Sequence, residues 1–239
     1  MNKMKWTLAV SSIFLLASCA TGKNPQDPYE DFNRSVYAFN RSIDKAVLQP
    51  VAKGYQAVTP DPLETGFENF FSNIGDVGNF INNLLQFKIA DASSDAGRFV
   101  VNTTLGLVGF FDPASAMGLE KHDEDFGQTL AVWGVESGPY LMLPFLGPST
   151  VRDTVSQPAD NYFDPVRQIN PESAEYSAKA FRLLIQRVLL LDLEEQLESA
   201  IDEYSFVRDA YLQNRRYKVY DGDLPLEDSF DCDPEYEDC

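Results

Sequence analysis

The segment from Thr65 to Ala90 constrains this chain more than any other. Phe67, Phe70, Phe71, Ile74, Val77, Phe80, Ile81, Leu84 and Leu85 step by three, one and four, which predicts one helical stripe. The opposite face is Glu68, Asn69, Ser72, Asn73, Asp76, Asn79, Asn82, Asn83 and Gln86, with five asparagines, two charges and no Lys or Arg. An ordinary surface helix of a soluble protein carries more charge. Two environments fit: a core helix with an asparagine-rich back, or a helix lying in a membrane interface. The missing bases argue against attraction to anionic lipid as what would hold it there.

The rest of the chain also reads as helical. Asp27-Pro28-Tyr29-Glu30 and Asp61-Pro62-Leu63-Glu64 have the chemistry of helix starts, with a capping Asp, a Pro at the first position and a Glu behind it. Asp112-Pro113, Asp164-Pro165 and Asn170-Pro171-Glu172 repeat it more loosely. A first helix over about 28–47 carries Phe32-Asn33-Arg34 and, seven residues on, Phe39-Asn40-Arg41, so both triplets share one side. That reading puts the two Phe in the core, the two Arg over its edge, and each Asn towards a polar partner or a headgroup. Residues 99–118 are apolar and broken by Gly106 and Gly109, with Asn102, Thr103, Thr104 and Asp112 interrupting them before a spanning segment accumulates. A long amphipathic helix is expected at about 173–216, ending in Arg215 and Arg216. Alternation is scarce, and its best runs, Leu130 to Val135 and Tyr140 to Phe145, can form one short hairpin. The fold class is all-α, and 239 residues suit one main domain.

The ends belong to different chemistry. Lys3 and Lys5 precede a short apolar run from Thr7 to Ala17, and Leu16-Ala17-Ser18-Cys19 resembles the lipobox of bacterial lipoproteins. Residues 1–18 are then a signal peptide, Cys19 the lipid anchor, and 19–26 a small polar tether. Several acyl chains hold a protein to a bilayer without a spanning helix. By resemblance to bacterial sorting rules, Ala20 after the Cys favours the outer membrane. The helical domain covers 27–220, followed by an acidic tail, 221–239, with nine acids and no base. Cys232 and Cys239 in that tail are spaced for a small-loop disulfide in an oxidising periplasm.

Composition excludes several functions. With 37 acidic and 19 basic residues, net −18, the chain repels phosphate backbones, which argues against nucleic acid. One His and three Cys speak against most metal sites, and nothing asks for a cofactor. A Ser–His–Asp hydrolase would need His122, but no G-x-S-x-G elbow presents a nucleophile. An enzyme is not expected.

Eight motifs, in order, carry a family resemblance: DPYEDFNR (27–34), PVAKGY (50–55), NFFSN (69–73), RFVVNTTLG (98–106), DFGQTL (125–130), WGVESGPY (133–140), LGPSTVRD (146–153) and VRDAYLQ (207–213). Together they resemble the VacJ/MlaA family of outer-membrane phospholipid-transport lipoproteins over roughly 27–222. The resemblance implies a ring of amphipathic helices in the inner leaflet of the outer membrane, around a polar channel. It implies a trimeric outer-membrane porin as neighbour and a soluble periplasmic lipid carrier as recipient, and the net removal of phospholipid from the outer leaflet. On that reading Phe67, Phe70, Phe71, Ile74, Phe80, Ile81, Leu84 and Leu85 sink into the membrane interface. Asn69, Asn73, Asn79 and Asn82 face the lipid path, and Gly134, Gly138, Pro139, Pro144 and Gly147 shape a loop at its mouth. The alternatives are a structural porin-associated lipoprotein and a phospholipase using His122.

Overall fold

The computed structural model describes residues 24–225. The signal segment, Cys19, Cys232 and Cys239 lie outside the described residues. Helix α1 (Glu30–Ile43) runs through a π turn (Asp44–Leu48) into α2 (Gln49–Val58). Then follow α3 (Asp61–Leu85), α4 (Ile89–Thr104), α5 (Pro113–Ala116) and α6 (Phe126–Val132). A hairpin, β1 (Tyr140–Leu143) and β2 (Gly147–Thr150), leads into α7 (Val151–Phe163), a 3-10 turn (Pro165–Gln168) and α8 (Glu172–Leu189). Helices α9 (Glu194–Ser199) and α10 (Glu203–Val219) complete the order.

Packing closes these elements into a circuit. Helix α1 lies on β1, β2 on α7, α7 on α3, α3 on α8 and α8 on α2, which runs back into α1. Helices α3 and α4 form an antiparallel pair, since Asn69 bonds at Phe110, Asn73 at Thr103 and Asn83 at Asp95. The single apolar cluster among the described residues is small: Tyr140, Met142 and Tyr204, flanked by Val36, Tyr37, Val207, Tyr211 and Leu212.

Several local expectations are corrected. The hairpin exists, but Tyr140–Leu143 pairs with Gly147–Thr150, Tyr140 opposite Thr150 and Leu143 opposite Gly147. Leu130 to Val132 instead ends α6, because Asp125 caps that helix by accepting from the Gln128 N–H. The long helix breaks between Leu189 and Glu203, where Asp202 caps α10 by accepting from Tyr204 and Ser205 N–H. Asp112 and Asp164 are caps as expected. Asp27 and Asp61 are not: α3 starts at Asp61 itself, and Asp27 is a buried acceptor for Asn33 and the Tyr204 hydroxyl. The described body also runs past residue 220, with Asp221 paired to Lys88 at 2.6 Å.

In the Phe-Asn-Arg echo the phenylalanines are not in the core as expected, whereas each Asn does meet a polar partner. Phe32 and Phe39 are exposed, and the asparagines turn inward. Asn33 donates to Tyr140 O (3.1 Å) and accepts from Met142 N–H (2.9 Å). Asn40 does the same with Leu143 O and Phe145 N–H, both at 2.9 Å. Each side-chain amide thus stands in for a neighbouring strand along β1, covering an edge that would otherwise be unpaired. The spacing matches because seven helical residues rise ~10 Å, as do three residues of strand. Asn33→Ala strips partners from a buried N–H, a buried carbonyl and Asp27, so about 2–3 kcal/mol of stability should be lost. Asn40→Ala, at a less buried site, should cost about half as much, and thermal unfolding in detergent reads both.

Candidate functional site

The molecule is polar inside and apolar outside. Among the described residues, 21 polar or charged side chains are buried against 10 apolar ones, so polar bonding rather than apolar burial organises the interior. On α3 the buried residues are Asn73, Asp76, Asn79, Asn82 and Asn83, with Gly66 and Phe71. The periodicity was that of a two-faced helix, and the asparagine face is the one turned in.

Ion pairs and amides bond much of this interior, although Asn73 Oδ1, Asn83 Oδ1, Gln86 Oε1 and the Nε atoms of Arg98 and Arg215 have no hydrogen-bond partner. Arg98 donates to Asp112 (2.8 Å), Ser115 (3.0 Å) and Leu119 O (2.8 Å), while Asn102 bonds Asp112 at 2.9 Å. Burial opposes ionisation of Asp112, but its bonds from Ser115, Arg98 and Asn102 win and hold its carboxyl below the usual range. Arg215 on α10 donates to Asp125 and to Asp153 (2.9 Å), and Tyr211 donates to Asp153 at 2.7 Å. Burial again works against both carboxylates, and Arg215 outweighs it, so both sit below their ordinary values. His122 faces Asp95 at 2.9 Å from Nδ1 and Asp91 at 3.6 Å from Nε2, so carboxylates face both ring nitrogens. A serine-activating base needs one of them for the nucleophile.

The exterior is most apolar after α4. Leu105, Leu107, Val108 and Phe111 each leave more than half their surface exposed. The backbone beneath them is closed on itself: the N–H groups of 105, 106, 108, 109, 110 and 111 all bond to carbonyls between 101 and 107. Gly106 and Gly109 make this tightness possible, since a Cβ would lie 2.2 Å from Phe111 O in the first and 2.7 Å from Asn73 in the second. Leu107 (φ 53) and Val108 (φ 61) are held in the left-handed region, a strain that non-glycine residues rarely bear. A loop with satisfied amides and outward aliphatic side chains suits hydrocarbon, where unsatisfied backbone groups are costly.

Two cavities accompany this surface. The one inside the circuit, about 410 Å³, lies between α3, α7, α8, the 123–125 segment and Leu146 at the hairpin tip. Its polar lining includes Asn79, Asn82, Gln157 and Asp160, and its apolar lining Ile74, Leu146, Phe163 and Pro165. Gly75 and Gly78 border it, and a Cβ at either would meet nothing within 4 Å, so the space before them is open. The second cavity, about 690 Å³, separates the 134–138 loop from α10.

The residues singled out from the sequence divide between these places. Asn79 and Asn82 line the inner cavity, although their amides also bond His122 O, Glu124 N–H, Gly78 O and the Thr129 hydroxyl. Asn69 and Asn73 are not in its lining; they tie α3 to the 103–110 segment by donating to Phe110 O and the Thr103 hydroxyl. Among the apolar stripe, Leu84 is exposed, and Phe67, Phe70, Ile74, Phe80, Ile81 and Leu85 are partly so. Phe71 is corrected: it is buried, edge-on to Phe181 and under the Arg182 guanidinium. Gly134 and Gly138 border the larger cavity and Pro139 follows them; Pro144 and Gly147 flank the hairpin tip that reaches the smaller one. Sequence reasoning missed Asp160, Arg182, Gly75 and Gly78, which carry no motif.

Asp160 is the oddest wall residue. Burial, aided by nearby Asp125, pushes its carboxyl up to about 6 against the bond from Phe126 N–H. The unfolded value is ~3.9, so the native state holds this proton more tightly, and stability falls as pH rises from about 4 through 6. Asp160→Asn keeps an acceptor for Phe126. It should raise the unfolding midpoint at pH 7.5 and leave it nearly unchanged at pH 4, as thermal scans at both pH values would show.

A polar interior, many exposed apolar side chains and an open pocket bordered by the helical circuit describe a helical protein suited to a lipid surface. No described helix is long and apolar enough to cross a membrane. The MlaA lipoprotein family model matches residues 25–218. The chain is 34% identical over 226 residues to the intermembrane phospholipid transport system lipoprotein MlaA of Haemophilus influenzae, spanning 90% of each chain. It is 32% identical over 224 residues to that of Escherichia coli, spanning 91% of this chain and 89% of the relative. An uncharacterized protein of Rickettsia typhi is 34% identical over 195 residues, 81% of this chain and 78% of its own. A solved structure concerned with the structural basis for maintenance of bacterial outer membrane lipid asymmetry superposes with a TM-score of 0.72 at 31% identity, covering 81% of this chain and 98% of its own. This chain belongs to the MlaA lipoprotein family.

Proposed function

We propose that this protein lies in the inner leaflet of the outer membrane, anchored through acyl chains on Cys19, and conducts phospholipid through its inner cavity. The observation that carries this reading is the inverted polarity, with an aliphatic exterior at 105–111 and a polar cavity behind it. A charged headgroup in hydrocarbon is expensive and needs a wet path, whereas the acyl chains do not. Outer-leaflet lipid would enter past Leu146 and the Pro144–Gly147 turn, and the glycine and proline positions at 134–139 would shape the second opening. A trimeric porin as neighbour and a soluble periplasmic carrier as recipient complete the proposal, on the strength of the family resemblance. The net result is removal of mislocalised phospholipid and preserved lipid asymmetry.

Photocrosslinking of the lipidated protein with a photoreactive phospholipid, followed by mass spectrometry, tests this. Intact phospholipid on peptides containing Asn79, Asn82 or Asp160 is the expected result. Label confined to the outer apolar face sinks the conduit and leaves a structural lipoprotein. Lysophospholipid accumulating with time would instead establish hydrolysis.

A further inference from the structure

The inner cavity holds one charge that the fold leaves uncompensated. Of its wall carboxylates, Asp123 pairs with Lys218 at 2.5 Å and Glu124 with Lys88 at 3.1 Å. Asp125 pairs with Arg215 at 2.6 Å and Asp164 with Arg182 at 2.8 Å. Among the described residues, Asp160 alone in that wall faces no basic side chain at ion-pair distance; it accepts from Phe126 N–H (2.7 Å) and, weakly, from the Ser156 hydroxyl (3.4 Å). Arg182, the one basic residue of the wall, has both terminal nitrogens on Asp164, at 2.8 and 3.2 Å. The wall therefore offers a carboxylate without an ion-pair partner, beside a guanidinium whose charge Asp164 already meets and whose Nε alone lacks a hydrogen-bond partner.

Gly75 and Gly78 line the same cavity with open space before them, and Ile74, Leu146 and Phe163 give it apolar lining. A headgroup of net negative charge would bring no cation to Asp160. One that carries its own ammonium would place it at Asp160, turn its phosphate toward the opening and lay its acyl chains on that apolar lining. Burial already makes the ionised Asp160 costly, and a bound ammonium would relieve that cost.

We propose that Asp160 selects the headgroup, favouring phospholipids that end in an ammonium over those of net negative charge. The proposal rests on the conduit reading above and adds to it the chemical class of the cargo.

The test uses the full-length lipidated protein in detergent micelles with equimolar phosphatidylethanolamine and phosphatidylglycerol of identical acyl chains. Native mass spectrometry reads the bound ratio. The wild type should favour the amine lipid about fivefold, the scale of one partly exposed charge pair. Asp160→Asn should bring the ratio to about one, and Asp160→Lys should reverse it. N-acetylated phosphatidylethanolamine, which lacks the ammonium, should lose the advantage on the unmutated protein, a result independent of how the variants fold. Equal binding of both lipids to the wild type, or a preference that survives in Asp160→Asn, overturns the proposal. If neither lipid binds, the conduit itself fails and the selection with it.

Discussion

Arg215→Met is expected to cost about 3–5 kcal/mol, a large share of the ~5–15 kcal/mol that keeps a domain folded. Arg215 joins three elements: its guanidinium reaches Asp125 ahead of α6 and Asp153 on α7, and it stands on α10 itself. Removing it takes the ion-pair partner from Asp125, whose side chain is 36% exposed, and leaves the buried Asp153 with Arg152 at 3.2 Å as its remaining cation. Gly127→Ala should act in the same direction, since a Cβ there would lie 2.3 Å from an Arg215 nitrogen and 2.5 Å from an Asp153 oxygen. Replacing Arg215 and Asp125 together (Asp125→Asn, Arg215→Met) should recover part of the loss, because Asp153 keeps Arg152 and no unpaired carboxylate remains at 125. Circular dichroism during thermal unfolding in micelles would order the variants. A midpoint for Arg215→Met within a degree of the wild type would mean that water reaches this network.

The double variant Leu107→Asp, Val108→Asp should separate folding from membrane engagement. Both residues are exposed and both occupy left-handed backbone, where Asp is tolerated better than an aliphatic residue. The fold should therefore keep or slightly raise its unfolding midpoint. At the bilayer the effect is large: each carboxylate drawn toward the hydrocarbon centre costs about 2.5–3.5 kcal/mol, so even partial insertion implies a tenfold or greater loss of partitioning. Vesicle flotation of residues 24–225 without the anchor measures this directly, and phospholipid exposed on the cell surface reports the effect on transport. Unchanged flotation would show that another face meets the lipid. Normal surface lipid despite weakened flotation would favour a purely structural lipoprotein.

The helical class, the two-faced helix of 61–85, the 113 and 165 starts and the presence of one hairpin were legible because they rest on local chemistry. Which face of α3 points inward was not, since a period of 3.6 marks two faces and is silent about the solvent outside. The same ambiguity hid Asn33 and Asn40, whose partners lie more than a hundred residues away on β1. Asn79 and Asn82 were singled out from composition and do line the cavity, whereas Asn69 and Asn73, on the same helix, meet the 103–110 segment instead. Periodicity cannot make that distinction, because it depends on where α4 ends. Asp160 was invisible for a related reason. Its one distinction is what fails to pair with it, and that is decided by α3, α6 and α8 together.

The inverted polarity also sets how this protein responds to temperature. In a water-soluble domain, unfolding hydrates buried aliphatic surface, which gives a heat-capacity increment of ~12–15 cal/mol/K per residue and a steeply domed stability curve. Here about two thirds of the buried side chains among the described residues are polar or charged, and hydrating polar surface lowers the heat capacity. The increment is correspondingly small, and the dome flattens. Such a chain keeps nearly the same margin of stability from cold to warm, and its temperature sensitivity passes to the lipid around it.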